Sequence, residues 1–368
     1  MSRAIFELAN SDAAHARVEG VEGSFPFDEA VLEVLPKGTK VISAEPHGSS
    51  AWTITGKVSV ILPDGTPKAY FLKLASDEHG GTMMRGEFTA ISTIHGILPG
   101  LVPKPLGWGK YKAQYPETYF FIEDFIEMDA GGAPEPQQFT ARVAELHKKG
   151  TSPNGMFGFP VTTCDGKVPH QTGWEKSWAV FFSKLLRGVM DVDAETNGVW
   201  PELEVAAKHL TDKVIPRLLG VLQSDGRNIK PSLIHGDLWE GNIGTEMETG
   251  DIILFDAGSY YAHNEMDIGM WRSELRQFLR AKVYIRNYLR HFEAAEPAEE
   301  FDDRNRLYSM KYNLNYSAGH PGNVTRVTAY NNMLYLIEKY APLEGLPKYD
   351  PQKDPSVTGA GVRVIGQK

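Results

Sequence analysis

Three oxygen-bearing side chains in one part of the sequence have the types and spacing that phosphoryl transfer requires. Asp237 and Asn242 lie five residues apart in the run HGDLWEGN, and Asp256 ends an apolar run that follows. Hard divalent cations such as Mg2+ take oxygen ligands and need few from the protein when a nucleotide supplies phosphate oxygens, so Asn242 and Asp256 suit a magnesium site. The Asp237 carboxylate suits a base that accepts the proton of an attacking hydroxyl or orients it towards a γ-phosphate. The predicted chemistry is phosphoryl transfer from ATP with Mg2+.

Lys73 stands in the middle of the apolar run AYFLKLA, which reads as a strand. Burying an ammonium group is costly unless an anion pairs with it. Glu87 lies four residues before Ile91 and seven before Ile94, so it falls on the inward face of the helix that follows. We therefore expect Lys73 and Glu87 to meet. These residues alone also allow an alternative, in which Lys73 extends to solvent and Glu87 lies at the edge of the apolar face.

Two further stretches are candidates for contact with the nucleotide. Gly48, Ser49 and Ser50 precede the first hairpin strand, where backbone amides could cover phosphates, although a plain turn fits this run equally well. Glu123 and Phe125 lie at the end of the last strand of the first domain. We expect backbone groups there to face the edge of an adenine, and position is the only basis for this.

The elements that must position these residues follow from the hydrophobic period. Alternation predicts a strand over 52–62, the turn at 63–66 predicts a returning strand over 69–75, and residue types predict a strand over 118–122. Three-and-four spacing predicts a helix over 83–95. Residues 102–109 read as a loop because of their prolines, and residues up to about 34 read as a helical lead-in. Helical periods then predominate. The helices predicted there are 137–149, 174–190, 201–223, 266–279, 283–292 and 324–340.

The predicted fold class is α+β, with two domains. Residues 1–127 form a β-rich first lobe, 128–136 a linker rich in Gly, Ala and Pro, and 137–344 a mostly helical second lobe that carries the catalytic loop. Residues 345–368 are rich in Pro and Gly and are expected to be a flexible tail.

Composition excludes several classes of protein. The chain has 368 residues, 42% of them hydrophobic, which matches a globular protein of about two domains. No run approaches the roughly 20 apolar residues of a membrane span, and a net charge of −9 without a basic cluster argues against a nucleic-acid partner. The single Cys164 can form no intrachain disulfide. With no secretory signal at the amino end, we expect a cytoplasmic protein.

The spacing of HxD, Asn five residues after that Asp, and a strand-terminal Asp is the catalytic-loop pattern of kinase-like phosphotransferases. We expect a structural role for His235. The run 235–242, HGDLWEGN, resembles the HGDLWxGN signature of the fructosamine kinase family, the ketosamine-3-kinases. The run 260–267, YYAHNEMD, is similar to that family's YYGHxExD stretch, and residues 85–87, 156–159 and 174–182 resemble further segments.

This resemblance implies a protein-kinase-like fold of two lobes. It also implies ATP-dependent phosphorylation of the 3-hydroxyl of ketosamines, which are fructose or ribulose joined to an amine, on small molecules or on glycated proteins. In the family, the 3-phosphate makes the adduct unstable and frees the amine, so the activity is protein deglycation. By the same resemblance Asp237 is the catalytic base, Asn242 and Asp256 hold Mg2+, and Lys73 with Glu87 positions the α- and β-phosphates.

Other residues have open roles. Trp239 could form an apolar wall for a sugar face or simply fill the core. His263 and Glu265 are candidate substrate contacts, with support of the catalytic loop as the alternative for both. This sequence has Asp256-Ala257-Gly258 where the family usually has Asp-Pro-Ala. The difference removes no metal ligand, because the Asp is kept.

Three competing functions remain at this stage. An aminoglycoside or choline phosphotransferase shares HxDxxxxN and the later Asp but usually lacks the Leu-Trp-x-Gly pattern. A protein kinase would carry an activation loop ending in an APE-like motif, and no such motif follows Gly258. A catalytically inactive nucleotide-binding scaffold has no support, because all five catalytic positions hold competent residues.

Overall fold

An antiparallel sheet of five strands forms the first lobe of the computed structural model, which describes residues 12–275 and 277–361. The strands are β1 (Lys40–Pro46), β2 (Ile54–Ile61), β3 (Pro67–Ser76), β4 (Pro105–Lys110) and β5 (Thr118–Asp124). They lie in the order β1-β2-β3-β5-β4. Strand β2 was predictable from its alternation, β3 from the turn before it, and β5 from its β-prone residues. β4 lies where the prolines predict a loop, and it tolerates Pro105 because that residue opens an edge strand.

The two faces of this sheet have different partners. Successive strand residues point to opposite faces, so Leu72 packs with Phe25 and Val31 on one side, while Lys73 points to the other. The helical lead-in expected before residue 34 is mostly absent from residues 12–34, where only Ala13–His15 and helix α1 (Glu29–Leu32) are helical. Pro26 and the positive-φ glycines of that stretch interrupt it. Residues 1–11 of the predicted lead-in lie outside the described residues.

The second lobe is mostly helical. After α2 (Gly80–Ile97) of the first lobe, its helices are α3 (Pro136–Lys149), α4 (Trp178–Asn197), α5 (Pro201–His209), α6 (Ile215–Leu219), α7 (Glu265–Gly269), α8 (Lys282–His291), α9 (Phe301–Gly319), α10 (Thr325–Tyr340) and α11 (Pro355–Thr358). The helix predicted over 201–223 is broken into α5, a π-helical turn and α6. Pro216 explains the break, because proline has no N–H to donate to the preceding turn. The helix predicted over 266–279 is reduced to α7 and one 3-10 turn.

Small sheets carry the catalytic segments of the second lobe. Their strands are β6 (Met128–Ala130), β7 (Cys164–Asp165), β8 (Val168–Pro169), β9 (Ser232–Ile234), β10 (Ile243–Glu246), β11 (Ile252–Leu254) and β12 (Tyr260–Ala262). β6 lies within the predicted linker and pairs antiparallel with β10, which in turn pairs with β11. The chain that leaves the first lobe is thus joined at once to the hairpin that ends near Asp256.

The long helix α9 was not predicted from the sequence. Its buried residues include Arg304, Asn305, Lys311 and Asn313 together with apolar residues such as Leu307. Because polar and apolar side chains are buried on all sides, the sequence of the helix shows no clear apolar stripe. The structure satisfies these groups with specific partners, such as the Glu265 carboxylate beside Arg304.

One hydrophobic cluster crosses from the first lobe into the second. Met84 and Ile91 of α2 and Phe121 of β5 belong to the same buried cluster as Phe139 and Trp178 of the helical lobe. Full burial of each such side chain is worth roughly 1.5–3 kcal/mol. Helix α2, which carries Glu87, is therefore held against the second lobe. None of the helices within residues 12–275 and 277–361 has the length and apolar character that crossing a membrane demands.

The predicted flexible tail is partly packed. Asp354 is buried, accepts a hydrogen bond from Arg306 at 2.6 Å and caps α11 through the Ser356 amide at 2.9 Å. Burial acts to raise the pKa of Asp354, but hydrogen bonds from Ser356 and Tyr349 and the charge of Arg306 lower it to about 2. This anchor explains why residues 345–361 differ from the prediction. The rest of the predicted tail, 362–368, lies outside the described residues.

Candidate active site

An ion cluster joins the two lobes at Lys73. In β3, Lys73 lies opposite Phe121 of β5 on the face that meets α2. Its ammonium lies 2.6 Å from Glu87 Oε1, and it also donates to Asp256 Oδ1 of the second lobe. The Lys73 side chain is 5% exposed and that of Asp256 is 41% exposed. The structure therefore brings Lys73, Glu87 and Asp256 together where the two lobes meet, with Asp256 partly exposed.

The charges in this cluster shift one another. Burial acts to lower the pKa of Lys73, but the charges of Asp256 and Glu87 raise it well above its usual value. Burial raises the pKa of Glu87 to about 7, although the Lys73 charge acts in the opposite direction. Lys73 therefore stays cationic across the physiological pH range.

Asp256 lies two residues after the end of β11 in a left-handed conformation, with φ of 57°. Such a conformation is uncommon for residues other than glycine and clusters at functional sites. The Asn242 carbonyl accepts a hydrogen bond from the Phe255 amide at 3.2 Å. The β10–β11 hairpin therefore places Asn242 beside Asp256.

The catalytic loop is held by its own side chains. The Asn242 amide donates to Asp237 Oδ2 and to the Asp237 carbonyl, both at 2.9 Å. His235 Nδ1 accepts from the Asp237 amide at 3.3 Å, so the hydrogen on Nε2 is donated to the Phe255 carbonyl at 3.0 Å. Burial lowers the pKa of His235 despite the nearby Asp267 charge, which keeps the ring neutral. His235 thus links the Asp237 loop to the Asp256 strand.

Asp267 supports the same loop from below. Its carboxylate accepts from the amides of His235 and Gly236, each at 2.9 Å, and lies 3.0 Å from His147 Nε2. Burial acts to raise the pKa of Asp267, but the contact with His147 and these amides lowers it. Gly236 has φ of 87°, and a Cβ there would lie 2.3 Å from the Gly258 carbonyl oxygen. No other residue type fits that position without displacing the Asp256 segment.

The loop between β1 and β2 carries Gly48, Ser49 and Ser50. Gly48 has φ of 76°, and the Ser50 hydroxyl accepts from the amides of Trp52 and Thr53, both at 3.2 Å. Ser50 therefore orders its own loop. The loop reaches the second lobe through Trp52.

Glu123 and Phe125, which were expected near an adenine edge, have different surroundings in the structure. The Phe125 amide donates to the Ala69 carbonyl at 3.2 Å, so it is not available to a base. The amide is paired because β5 extends to Asp124, two residues beyond the predicted strand. An adenine contact of the remaining backbone groups of this stretch stays a prediction. The Glu123 side chain is buried on the same face as Lys73, and burial, followed by the charge of Glu87, raises its pKa well above the usual range.

The candidate substrate contacts are also corrected. His263 is buried, and its Nδ1 lies 2.9 Å from the Tyr308 hydroxyl. Glu265 accepts from Arg304 at 2.7 and 2.9 Å in the interior of the second lobe. Neither side chain is exposed, because each contacts a buried residue of α9: the His263 imidazole contacts Tyr308, and the Glu265 carboxylate contacts Arg304. Trp239 packs at the margin of the core, and a Cβ at Gly241 would lie 2.3 Å from its indole, so Gly241 makes room for this ring.

Three residues on the elements around the proposed site were not identified as candidates from the sequence. Trp52 was interpreted only as a strand residue, Asp165 lies in the short strand β7, which was not predicted, and Lys311 belongs to the unpredicted helix α9. The signal for Lys311 was a lysine within the run RLYSMKYNLNY, whose other residues are mostly apolar or uncharged. Asp165 and Lys311 form an ion pair at 3.2 Å.

The donor set at Asn242 and Asp256 fits a hard divalent cation. Both side chains offer oxygen, and the partial exposure of Asp256 leaves it accessible. Within residues 12–275 and 277–361, no group of three or more His, Cys, Asp or Glu side chains could hold a metal by itself. A cation at this place would therefore need further oxygens from a phosphate or from water.

Comparisons with known proteins agree with this geometry. The model of the fructosamine kinase family matches residues 51–335. The chain is 27% identical over 255 residues to a protein-ribulosamine 3-kinase of rice, covering 67% of each chain. It is 32% identical over 186 residues to the ketosamine-3-kinase of mouse, covering 49% of this chain and 54% of that one.

Solved structures confirm the predicted two-lobe α+β fold. A structure from Thermobifida fusca assigned to the fructosamine-3-kinases has a TM-score of 0.61 at 19% identity, covering 82% of this chain and 95% of the other. An aminoglycoside phosphotransferase has a TM-score of 0.51 at 13% identity, covering 81% and 94%. The fold is protein-kinase-like. The chain belongs to the fructosamine kinase family and is a kinase-type phosphotransferase.

Proposed function

We propose that this chain transfers the γ-phosphoryl group of ATP to the 3-hydroxyl of a ketosamine, with Mg2+, and so begins the removal of the sugar from an amine. The observation that carries the proposal is the cluster in which Lys73 of the first lobe meets Asp256 of the second, beside the Asp237–Asn242 loop. The names of the rice and mouse relatives support a ketosamine as the acceptor.

Lys73 and Glu87 form the nucleotide side of the proposed site. Glu87 holds the ammonium group at 2.6 Å, so Lys73 can exchange its contact with Asp256 for phosphate oxygens without losing a buried anionic partner. Asn242 and Asp256 would hold Mg2+, which neutralises charge on the phosphate oxygens when bound.

Asp237 is the proposed base. The acceptor oxygen forms a bond to the γ-phosphorus, the bond from that phosphorus to the β–γ bridging oxygen breaks, and the hydroxyl proton passes to the Asp237 carboxylate. Asn242 fixes that carboxylate through its 2.9 Å hydrogen bond to Oδ2. His235 and Asp267 act on Asp237 only through the loop backbone, so they are positioning residues.

The test is a panel of acceptors assayed by release of ADP. We expect turnover with fructosyl- or ribulosyl-lysine, as free compounds or on glycated protein. The product should gain the mass of one phosphate and then lose its sugar. Turnover with aminoglycosides or choline alone would overturn the ketosamine proposal in favour of a small-molecule phosphotransferase.

Asp237→Asn tests the proposed base. It should lower kcat roughly 10²- to 10⁴-fold, because the base acts in the transition state, and leave the Kd of the nucleotide nearly unchanged. Asp251→Asn is the matched control, because Asp251 is exposed in the turn of the β10–β11 hairpin, which follows the catalytic loop. Equal turnover of Asp237→Asn and the control would remove Asp237 from this role.

A further inference from the structure

The short hairpin β7–β8 packs directly against the segment that follows Asp256. The Thr163 hydroxyl donates to the carbonyls of Gly258 and Ser259, at 3.2 and 3.1 Å. A Cβ at Gly258 would lie 2.4 Å from the Cys164 carbonyl oxygen. The hairpin therefore lies beside the proposed metal site.

Trp52 brings the loop between β1 and β2 onto the same hairpin. A Cβ at Gly166 would lie 2.7 Å from Trp52 Nε1, and one at Gly319 would lie 3.2 Å from the indole ring. The Lys167 ammonium lies 5.5 Å from the centre of the indole ring. Trp52 thus covers the hairpin from the first lobe.

The Gly258 carbonyl connects the hairpin to the catalytic loop. It accepts a hydrogen bond from the Thr163 hydroxyl at 3.2 Å, and a Cβ at Gly236, the residue before Asp237, would lie 2.3 Å from its oxygen. The Trp52 loop, the Asp256 segment and the catalytic loop therefore all border the hairpin that carries Asp165. An acceptor hydroxyl that reaches both Asp237 and a γ-phosphate would lie in this region.

Asp165 is fixed by a charge-balanced network. Lys311 lies 3.2 Å from Asp165 Oδ2 and donates to His170 Nε2 at 2.9 Å. The His170 Nδ1 hydrogen is therefore donated to the Thr163 hydroxyl at 3.0 Å. Burial, and then the Lys311 charge, hold the pKa of His170 well below its usual value. Asp165 and Lys311 together carry no net charge. The Lys311 side chain is 1% exposed, whereas that of Asp165 is 12% exposed.

Asn315 leaves a hydrogen-bond acceptor without a partner in this place. Its side-chain nitrogen donates to the Asp165 carbonyl at 3.2 Å. Its Oδ1 is buried and has no hydrogen-bond partner among residues 12–275 and 277–361. An unsatisfied buried acceptor destabilises the folded state unless a ligand or water donates to it.

We propose that Asp165 and Asn315 bind hydroxyl groups of the sugar part of the acceptor, under the cover of Trp52. This inference rests on the proposed function. A neutral cluster rich in acceptors suits the hydroxyl donors of a polyol better than it suits a cation, whose attraction to Asp165 is offset by Lys311. Asp165 is thus a specificity-determining residue, and the amine of the ketosamine is bound elsewhere.

The test combines variants with altered acceptors. Asp165→Asn should raise the KM for a fructosyl-amine roughly tenfold, with kcat within threefold and the Kd of MgATP unchanged, because one charged hydrogen bond is weakened. The pair Asp165→Leu with Lys311→Met removes both buried charges together, so folding is preserved. It should raise the KM roughly tenfold to a hundredfold. Asp251→Asn is the control.

The 4-deoxy and 5-deoxy forms of the same sugar-amine identify the interaction. The wild-type enzyme should prefer the parent compound over at least one of them, and this preference should shrink in both variants. If the preference for the parent compound over both analogues is the same in the variants as in the wild-type enzyme, the inference is overturned, although the kinase activity itself would stand. A wild-type enzyme that phosphorylates no ketosamine would overturn the proposed function and this inference together.

Discussion

Replacing Lys73 with methionine separates the stability of the ion cluster from its catalytic role. Methionine fills the volume of the lysine stem but leaves Glu87 and Asp256 facing each other without a cation. Removing one partner of a buried ion pair costs about 3–5 kcal/mol. Asp256 is 41% exposed, so its contribution to this cost is small. Burial already raises the pKa of Glu87 to about 7, so Glu87 can take up a proton and lower the cost further. We therefore expect Lys73→Met to lose about 1–3 kcal/mol of unfolding free energy.

A second substitution should restore that stability without restoring catalysis. Glu87→Gln removes the stranded carboxylate, so the double variant Lys73→Met with Glu87→Gln should regain at least about 1 kcal/mol over Lys73→Met alone. Both variants should show kcat/KM lowered at least roughly a hundredfold, because no cation remains to contact the phosphates. Urea unfolding at pH 7 and release of ADP measure the two quantities on the same preparations.

Lys68→Met is the matched control for this experiment. Lys68 lies on the same strand and forms an ion pair with Asp124 at 2.8 Å, but its side chain is 34% exposed. Exposed pairs contribute about 0–1 kcal/mol. The reasoning is refuted if Lys73→Met costs no more stability than Lys68→Met, or if Glu87→Gln recovers nothing.

Two further predictions concern the interior of the second lobe. Arg304→Met should cost about 3–5 kcal/mol of unfolding free energy, because Glu265 would remain buried without its bidentate partner; a loss under about 1 kcal/mol in urea would contradict this. Burial lowers the pKa of His263 to about 4, whereas the unfolded value is about 6.5. Stability is then full above pH 6.5 and should fall by about 3 kcal/mol as the pH decreases towards 4. His263→Asn should flatten this slope, and an unchanged slope in a urea series would show that another group is responsible.

The active-site cluster was largely predictable because its residues obey simple constraints. Lys73 interrupts an apolar strand, Glu87 falls on an apolar helix face, and Asp256 follows a buried strand, so burial and charge together favour their meeting. Contacts that no local pattern in the sequence marks were not predictable. The orientation of Glu265 depends on Arg304 in a helix without an apolar stripe, and the hydrogen bond of the Phe125 amide depends on how far two strands pair.

The missed helix and the misjudged tail share one physical cause. Both depend on specific charged contacts, such as Arg306 with Asp354 at 2.6 Å, which no repeating pattern in the sequence marks. Local sequence reports periodicity well and reports long-range ion pairs hardly at all. For the same reason Asp165 carried no signal until Lys311 was found beside it.

Helix α9 has a consequence for how the second lobe assembles. Its polar side chains bind Glu265 and Ser273 of one segment, Asp165 of a second and Asp354 of a third. Its apolar residues Leu307, Met310 and Leu314 are buried in the main hydrophobic cluster, but in isolation the helix would have no partners for its charges. It can become stable only when those segments are already near their final positions, so the lobe should unfold as one cooperative unit, and a chain truncated before residue 300 should leave unmatched carboxylates in its interior and fail to fold.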